Sequence, residues 1–352
     1  MKKSNLVCAI AFLATFLISC SDDNQEPKQP LGDYENGYFV SNEGPFQNGS
    51  GTISFVGDNG AVSQNVYKTV NGEDLGNIVN SMYISDDKAY IVVNNSNKIV
   101  VVNRFTMKKE AVILGENIIN PRFFVADSGK GFISNWGDPF NTEDDFITVI
   151  DLQTNAILEK IPVGEGPERM LIDGQKLFVC LQGGYGSNNK VVVINIADNS
   201  IDTALTTGDV PNSIVADSNG AVWVLCGGIP AWTGSETPGS LYKIDPTSYR
   251  LEIKEFASTE HPSLLNTDKG NLYFALDGNV YGMNTNEVEL PTNAIEGLGG
   301  QFYTMNVKDG ELFATDAGDF SSEGTLKVFN LISGDLLQTI TTGIVPGQVV
   351  FP

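Results

Sequence analysis

Residues 166–210 read GPERMLIDGQKLFVCLQGGYGSNNKVVVINIADNSIDTALTTGDV, and residues 211–261 read PNSIVADSNGAVWVLCGGIPAWTGSETPGSLYKIDPTSYRLEIKEFASTEH. Both stretches contain a short strand, a turn with Asp, Asn or Gly, a second strand, a variable loop, a third strand and, after a polar turn, a last strand. The turn after the third strand recurs as VIDLQTNAI, VINIADNSI, YKIDPTSYR and VFNLISGDL, in which Asp or Asn predicts an Asx turn. The two stretches are therefore units of one internal repeat.

The repeat extends over most of the chain, with units roughly 45 residues apart. The residues that open successive units are Ser81, Pro121, Pro167, Pro211, Pro262, Gln301 and Pro346. Four short strands per unit, with almost no helical periodicity, predict an all-β fold of the β-propeller type.

The two ends of the repeat complement each other. After Pro346 only the strand GQVVF remains, whereas the segments GYFVSNEG, GTISFVGD and VSQNVYK near the start supply three strands that lack a first. Joining them into one sheet would remove the open edges. The sequence therefore predicts a seven-bladed propeller over residues 37–352, closed by N- and C-terminal strands.

The N-terminal stretch MKKSNLVCAIAFLATFLISC has a basic start and an apolar segment too short to span a bilayer. LISC resembles a lipobox, which implies a lipoprotein signal peptide over residues 1–19, lipidation of Cys20 and a flexible tether over residues 20–36. The acidic run SDDNQE resembles the signal that sends lipoproteins to the outer surface of Bacteroidetes-type cells. The expected location is the outer membrane, lipid-anchored and facing the cell exterior; an ordinary signal peptide and a solvated acidic linker are the alternatives.

Charge and cysteine content narrow the classes of partner. The formal net charge of −22 disfavours binding to a phosphate backbone, so no nucleic acid partner is expected. Cys180 and Cys226 lie in the strand-like runs KLFVCL and VWVLC, where buried free thiols are expected and a disulfide between them is the alternative. No CxxC pair or Cys/His cluster indicates a metal site.

The loops between second and third strands share one face of a propeller with the connections between blades. Five of the seven loops are long, and all five carry aromatic residues: Phe46, Trp136 with Phe140, Tyr185, Trp232 and Phe320. The connections between blades carry polar residues that we expect to face the axis: Asn80, Ser81, Arg122, Glu168, Arg169, Asn212, His261, Gln301, Tyr303 and Gln348.

Such a face suits a large ligand with a flat apolar area and peripheral hydrogen-bonding groups. Packing of the aromatic residues between the blades, as loop anchors, is the alternative. Arg122 and Arg169 would either clamp a ligand carboxylate or phosphate or bridge the blades by pairing with neighbouring acids.

No pattern of residues indicates catalysis. His261 is the single histidine, and no hydrolase elbow or triad-like motif accompanies it. The acidic run NTEDD (141–145) lacks the alternating spacing of a dedicated calcium loop. We expect a binding protein without catalytic residues, metal or cofactor.

The pattern GxxP…VxVID…T…I resembles the YVTN/YncE-like propeller superfamily. From LISCSDD through NWGDPF and GGIPAWTGSETPG to TTGIVPGQVVF, the chain resembles the BtuG cobalamin-binding lipoproteins of gut Bacteroidetes. The resemblance implies a surface protein that binds cobalamin or related corrinoids with high affinity and delivers them to a BtuB-type TonB-dependent transporter. A surface glycan-binding propeller and a protein-docking module of an uptake complex remain alternatives. The predicted ligand-binding residues are Phe46, Asn80, Arg122, Trp136, Phe140, Arg169, Tyr185, Trp232, His261, Gln301, Tyr303 and Phe320.

Overall fold

The computed structural model describes residues 29–46, 48–138 and 140–352. The predicted signal peptide over residues 1–19 and the predicted lipidation site at Cys20 lie outside the described residues. Within the described ranges, no helix has both the length and the apolar character needed to cross a membrane.

The described part of the chain forms seven antiparallel sheets, the blades of a β-propeller, as the sequence predicts. It begins with strands β1 (Gly37–Asn42), β2 (Thr52–Gly57) and β3 (Val62–Ser63) and a short helix α1 (Val66–Asn71). Blade 1 contains β4 (Val79–Ser85), β5 (Lys88–Val93), β6 (Lys98–Asn103) and β7 (Lys109–Leu114). Blade 2 contains β8 (Pro121–Asp127), β9 (Lys130–Asn135), β10 (Phe146–Asp151) and β11 (Ile157–Pro162).

Blades 3 to 6 follow in chain order. Blade 3 contains β12 (Pro167–Asp173), β13 (Lys176–Leu181), β14 (Lys190–Asn195) and β15 (Ile201–Thr206). Blade 4 contains β16 (Pro211–Ala216), β17 (Val222–Cys226), β18 (Ser240–Ile244) and β19 (Leu251–Glu255). Blade 5 contains β20 (Ser263–Asp268), β21 (Asn271–Leu276) and β22 (Asn279–Asn284). Blade 6 contains β23 (Thr304–Lys308), β24 (Glu311–Asp316), β25 (Glu323–Asn330) and β26 (Leu336–Ile344), and β27 (Pro346–Val350) ends the chain's regular structure.

Blade 7 is built from both ends of the chain, in the order β27-β1-β2-β3. Phe39 pairs with Val350 and Val40 with Val349 across the antiparallel β1–β27 ladder. The first strands of all seven blades contact one another in succession around the axis, including β27 with β4 and β23 with β27. The predicted closure by terminal strands is confirmed.

Two local expectations are wrong. Blade 5 has three strands in the described chain rather than four, because residues 285–300 form a largely exposed loop that packs Leu298 beside Val280 in the core. Pro291, which lacks an N–H, also interrupts this segment. In VSQNVYK only Val62–Ser63 is a strand, because the chain then turns into α1 and buries Tyr67.

The core is divided among the interfaces between blades. Seven apolar clusters occur in the described chain, each shared by two neighbouring blades. Both faces of a blade are therefore covered, which is why a middle strand such as β13, KLFVCL, reads as a continuous apolar run. Cys180 and Cys226 share the cluster between blades 3 and 4 as buried free thiols, as expected.

The turns after the third strands are Asx turns, as predicted. The side chain of Asp151 accepts a hydrogen bond from the N–H of Thr154, and that of Asn195 accepts one from the N–H of Ala197. Asp245 and Asn330 each accept two such bonds from backbone N–H groups two and three residues on. These turns lie on the face opposite to the long loops, where they close the outer hairpins.

Candidate functional site

The inner strands of six blades carry a β-bulge within their first residues. The register between first and second strand shifts after Val79 in β4, Pro121 in β8, Pro167 in β12, Pro211 in β16 and Ser263 in β20, and between Ser41 and Asn42 opposite β27. A bulge inserts an unpaired residue and changes the direction of its side chain. The inserted stretches include Asn80, Arg122, Glu168, Arg169 and Asn212 at the mouth of the axis.

Side chains lock these bulges to one another across the blades. Fully buried Ser134 accepts a hydrogen bond from the N–H of Phe123 and donates to the carbonyl of Glu168. Asn80 and Ser81 both donate to the carbonyl of Arg122, at 2.6 and 2.8 Å. The predicted site residue Asn80 is therefore already bonded to the neighbouring blade.

Arg122 lies at the centre of a charged cluster at the mouth. Its Nε donates to Oε1 of Glu168 at 2.9 Å, and Nη2 lies 2.9 Å from the same oxygen. The guanidinium also lies 4.2 Å from the centre of the Trp136 ring. Of the two roles predicted for Arg122, the structure shows the bridge between blades.

Two buried atoms of this cluster have no hydrogen-bond partner among the described residues: Oε2 of Glu168 and Nε1 of Trp136. One is an acceptor and the other is a donor. Buried polar groups normally find partners, so these two atoms leave hydrogen-bonding capacity at the mouth that the described residues do not use.

Glu43 enters the same mouth from the loop between β1 and β2. Its carboxylate accepts a hydrogen bond from the hydroxyl of Tyr303 at 2.7 Å. Burial raises the pKa of the Glu43 carboxyl above its usual value, although the hydrogen bond from Tyr303 and the charge of Arg122 act in the opposite direction. Glu43 is a site residue that the sequence did not single out, because its loop was noted only for Phe46.

Phe320 stands beside Tyr303, with ring centres 5.6 Å apart in an edge-to-face contact. Its φ is +60°, which is unfavourable for a bulky residue. Asp319 accepts hydrogen bonds from the N–H groups of Ser321 and Ser322, which hold the turn and lower the pKa of Asp319 to about 2. The loop thus presents a strained aromatic residue at the surface, 55% exposed.

A second aromatic cluster joins blades 2 and 3. The ring of Tyr185 contacts Trp136 edge-to-face and Phe140 at a tilt, both with centres 5.9 Å apart. Phe140 and Tyr185 remain 87% and 74% exposed, whereas Trp136 is half-buried. Trp136 therefore packs between the blades, whereas the rings of Phe140 and Tyr185 face solvent.

A groove of about 540 Å³ lies over blade 1, where the loop between second and third strands is short. Phe46 of blade 7 and Tyr185 of blade 3 border it. Asn94, Asn95 and Asn97 contribute amide groups to its lining. The groove therefore combines aromatic walls with a floor of hydrogen-bonding groups.

The loop over residues 227–239 carries Trp232 on a 3₁₀ helix (Ala231–Thr233). Its base is closed by Thr237, which accepts a hydrogen bond from the N–H of Ile229 and donates one to Asp209. Gly228, with φ of +68°, passes so close to the carbonyl of Thr237 that a Cβ would lie 2.3 Å away. Trp232 thus extends from the closed base of its loop on the same face of the propeller, and it is 86% exposed.

His261 supports this loop from the connection between blades. Its Nδ1 lies 2.9 Å from the carbonyl oxygen of Gly227, and Nε2 lies 3.4 Å from a carboxylate oxygen of Glu236. Gln301 is exposed on the connection before blade 6. Arg169 is set apart from the aromatic clusters and lines the channel along the axis.

The acidic residues of NTEDD hold their own loop and its neighbour by hydrogen bonds. Asp144 accepts a hydrogen bond from the N–H of Asp138, and Asp145 accepts one from the N–H of Gly166 at 2.6 Å. Burial raises the pKa of Asp145 to about 7. Across the described ranges, no group of three or more His, Cys, Asp or Glu side chains is placed to hold a metal ion.

Comparison with solved structures shows the same architecture in distant proteins. A functionally unknown protein from Desulfotomaculum acetoxidans is 15% identical, with a TM-score of 0.63 over 90% of this chain and 98% of that one. The computationally designed Ika8 protein is 12% identical, with a TM-score of 0.61 over 89% and 96% of the two chains. BamB from Moraxella catarrhalis is 15% identical, with a TM-score of 0.55 over 89% and 84%. At these identities the likeness shows the fold alone.

No curated protein matches the sequence. The model of one protein family does, over residues 36–281, and the description of that family is "Domain of unknown function (DUF5074)". This match and the seven blades fit a YVTN/YncE-like propeller. The match covers more than half of the chain, which therefore belongs to the DUF5074 family.

Proposed function

We propose that this propeller is a cell-surface lipoprotein that binds a corrinoid such as cobalamin on its long-loop face and delivers it to a BtuB-type TonB-dependent transporter. The observation that carries the proposal is the mixed chemistry of that face. Exposed aromatic rings stand on the loops, while amides, a tyrosine and unpartnered buried atoms lie nearer the axis. A corrinoid is a flat macrocycle edged with amide groups, and it carries a nucleotide tail.

The groove over blade 1 would receive one edge of such a ligand, and the rest of the macrocycle and its tail would extend across the mouth of the axis toward Trp232. Its volume of about 540 Å³ lies within the range of roughly 300–1,000 Å³ that is common for ligand sites. Phe46 and Tyr185 would contact the apolar faces of the ligand, and Asn94, Asn95 and Asn97 would bond its peripheral amides. The loops are held by hydrogen bonds before binding, so little freedom is lost when the ligand arrives.

A visible spectrum tests corrinoid binding directly, because corrinoids absorb visible light and the protein does not. The purified protein is mixed with cyanocobalamin, desalted and measured. We expect the corrinoid spectrum to stay with the protein at micromolar concentration. A colourless protein fraction would contradict corrinoid binding and would favour a glycan ligand.

A protein-docking function is the second candidate, and one observation favours it. Trp232 and Phe140 are 86% and 87% exposed, and exposed tryptophan is typical of the anchor residues of protein interfaces. Titration with the purified transporter, in the presence and absence of cyanocobalamin, separates the two functions. Docking without a ligand function predicts transporter binding that is unaffected by cyanocobalamin.

Location is tested on intact cells. We expect a protease added outside to remove the protein, because the lipobox-like LISC is followed by Asp22 and Asp23. A periplasmic protein gives the same digestion only after the outer membrane is opened. Full protection in intact cells would place the protein on the periplasmic side and contradict surface capture.

A further inference from the structure

We propose that the axial channel beneath the long-loop face contains an anion-binding site, which takes a carboxylate or phosphate group through the guanidinium of Arg169. The site differs from the groove over blade 1 and involves none of its lining residues. The proposal does not depend on the identity of the ligand that the loops bind.

Arg169 has no directly bonded counter-charge in the described structure. No hydrogen bond or ion pair joins its guanidinium to any described residue, although Arg122, in the bulge of blade 2, pairs with Glu168. Glu168 is the nearest candidate partner in sequence, and its Oε1 is already engaged by Arg122. The positive charge of Arg169 therefore has no carboxylate bonded to it, although the charge of Glu168 acts on it from nearby.

Stacking fixes the position of this charge. The guanidinium carbon of Arg169 lies 4.2 Å from the centre of the Phe123 ring in blade 2. A guanidinium held face-on to a ring keeps its in-plane N–H donors available at the edge. Such a planar set of donors matches the two oxygens of a carboxylate or phosphate.

The surroundings of Arg169 form a pocket of about 240 Å³ on the axis. Its polar lining comes from the inner strands of blades 4, 5 and 6, and includes Asn212, Ser263, Thr304 and Asn306. The Oδ1 atom of Asn306 is buried and lacks a hydrogen-bond partner within the described ranges. The pocket is therefore polar, and the free acceptor of Asn306 would bond the protonated oxygen of a hydrogen phosphate.

The desolvated charge of Arg169 favours a bound anion in the channel. Burial lowers the pKa of Arg169 from its usual value; the charge of Glu168 acts in the opposite direction, and the charge of Arg122 lowers the pKa further. A bound anion would neutralise this desolvated charge and supply the partner that the fold does not. The wider protein is acidic, so the local charge of Arg169 would hold the anion against a net negative field.

Calorimetric titration with simple anions tests the site. Sodium phosphate and sodium acetate are titrated separately into the purified protein, with sodium chloride at matched ionic strength as the reference. We expect saturable binding of one anion per chain, by phosphate, acetate or both, beyond any effect of chloride. The two arms distinguish a phosphate site from a carboxylate site.

Variants assign the binding to Arg169. We expect Arg169→Gln to weaken anion binding at least tenfold and Arg169→Lys, which keeps the charge but not the planar donors, to give an intermediate affinity. Arg250→Gln is the matched control, because Arg250 is exposed and lies far along the chain in an outer turn. Circular dichroism and thermal melting verify that each variant is folded.

Two outcomes would overturn the proposal. One is the absence of saturable binding of either anion to the wild-type protein at millimolar concentration. The other is equal affinity in folded Arg169→Gln and wild type, which would place the anion elsewhere. Because the probes are inorganic phosphate and acetate, either result leaves the corrinoid proposal untouched, and a colourless protein after cyanocobalamin would leave this one untouched.

Discussion

Arg122 of blade 2 binds a single carboxylate oxygen of Glu168 in blade 3, and it does so while covering the ring of Trp136. Glu168 is almost fully buried, and Arg122 is partly exposed. The pair therefore fixes two blades to each other at the mouth of the axis and places an aromatic ring beneath the charge. The same contact links the stability of the propeller to the shape of its candidate site.

Removing Arg122 should destabilise the protein, because it leaves the buried Glu168 carboxylate unpaired. We expect Arg122→Met to lower the free energy of unfolding by roughly 3–5 kcal/mol at neutral pH, as is common for one partner of a buried pair. Adding Glu168→Gln should recover part of this loss. Urea denaturation of both variants measures this recovery. Equal stability of the single and double variants would show that Arg122 and Glu168 are not coupled.

Trp232→Ala should weaken binding of the corrinoid while leaving the fold intact. Burying one large aromatic side chain against a ligand contributes roughly 1.5–3 kcal/mol. At about 1.4 kcal/mol per decade, affinity should fall by around tenfold to a hundredfold. Most of the loss should appear as faster release. Stopped-flow displacement measures the off-rate, and thermal melting measures stability.

Ile332→Ala is the matched control for Trp232→Ala. Ile332 is 90% exposed in the turn between β25 and β26, on the opposite face. It should change neither the off-rate nor the melting temperature. A lower melting temperature with unchanged affinity in Trp232→Ala would mean that Trp232 anchors its loop and does not contact the ligand.

Trp136→Ala should differ from Trp232→Ala by changing stability as well as affinity. Trp136 contacts Arg122 and Tyr185, so its removal loosens the junction of blades 2 and 3. We expect both a lower melting temperature and weaker binding. Stopped-flow displacement and thermal melting are measured as for Trp232→Ala. An unaltered melting temperature would contradict the anchoring role of Trp136.

The stability of the protein should depend on pH through Asp145. Its pKa is raised to about 7 in the folded state by burial, against 3.8 for the free side chain. Between these two values the folded protein holds a proton that the unfolded chain has released, so this group's contribution falls as pH rises from about 4 to about 7. Lowering the pH from 8 to 5 should therefore stabilise wild type relative to Asp145→Asn. Urea denaturation across this range tests it, and a constant difference would show that Asp145 does not titrate there.

Deleting residues 347–351 should destabilise the propeller far more than deleting residues 21–30. The first change removes most of β27, which opens the edge of β1 and exposes the apolar contacts of Val349 and Val350. The second stops short of Tyr34, which is buried against Phe55. Thermal melting compares the two, and similar melting temperatures would contradict closure by the terminal strand.

Local patterns account for what the sequence predicted correctly. The Asx turns at Asp151, Asn195 and Asp245 depend on a side chain and a backbone N–H two or three residues away. The number of blades follows from the spacing of the opening residues, and the shared blade follows from an incomplete unit at each end. Each of these features repeats along the chain, so a single sequence displays it several times.

Blade 5 lacks a fourth strand in the described chain, and the repeat pattern does not predict this. The period of the repeat leaves room for a strand in residues 285–300, and Pro291 alone does not exclude one. The alternative conformation forms because Leu298 finds a place in the core between blades 5 and 6. That decision depends on the neighbouring blade, which a local pattern does not report.

The sequence by itself determined the propeller, its closure and the face on which the aromatic loops gather, because strand period and turn chemistry are local properties. The tertiary structure alone decided which polar groups at the axis are free. It pairs Arg122 with Glu168 and leaves Arg169 stacked on Phe123 without an ion-pair partner in the described chain, although both arginines lie near the start of equivalent strands. It also brings Glu43 to Tyr303, 260 residues away. The physical reason is that bulges aim these side chains into the axis and ring closure sets their distances, so their contacts arise only when all seven blades are assembled.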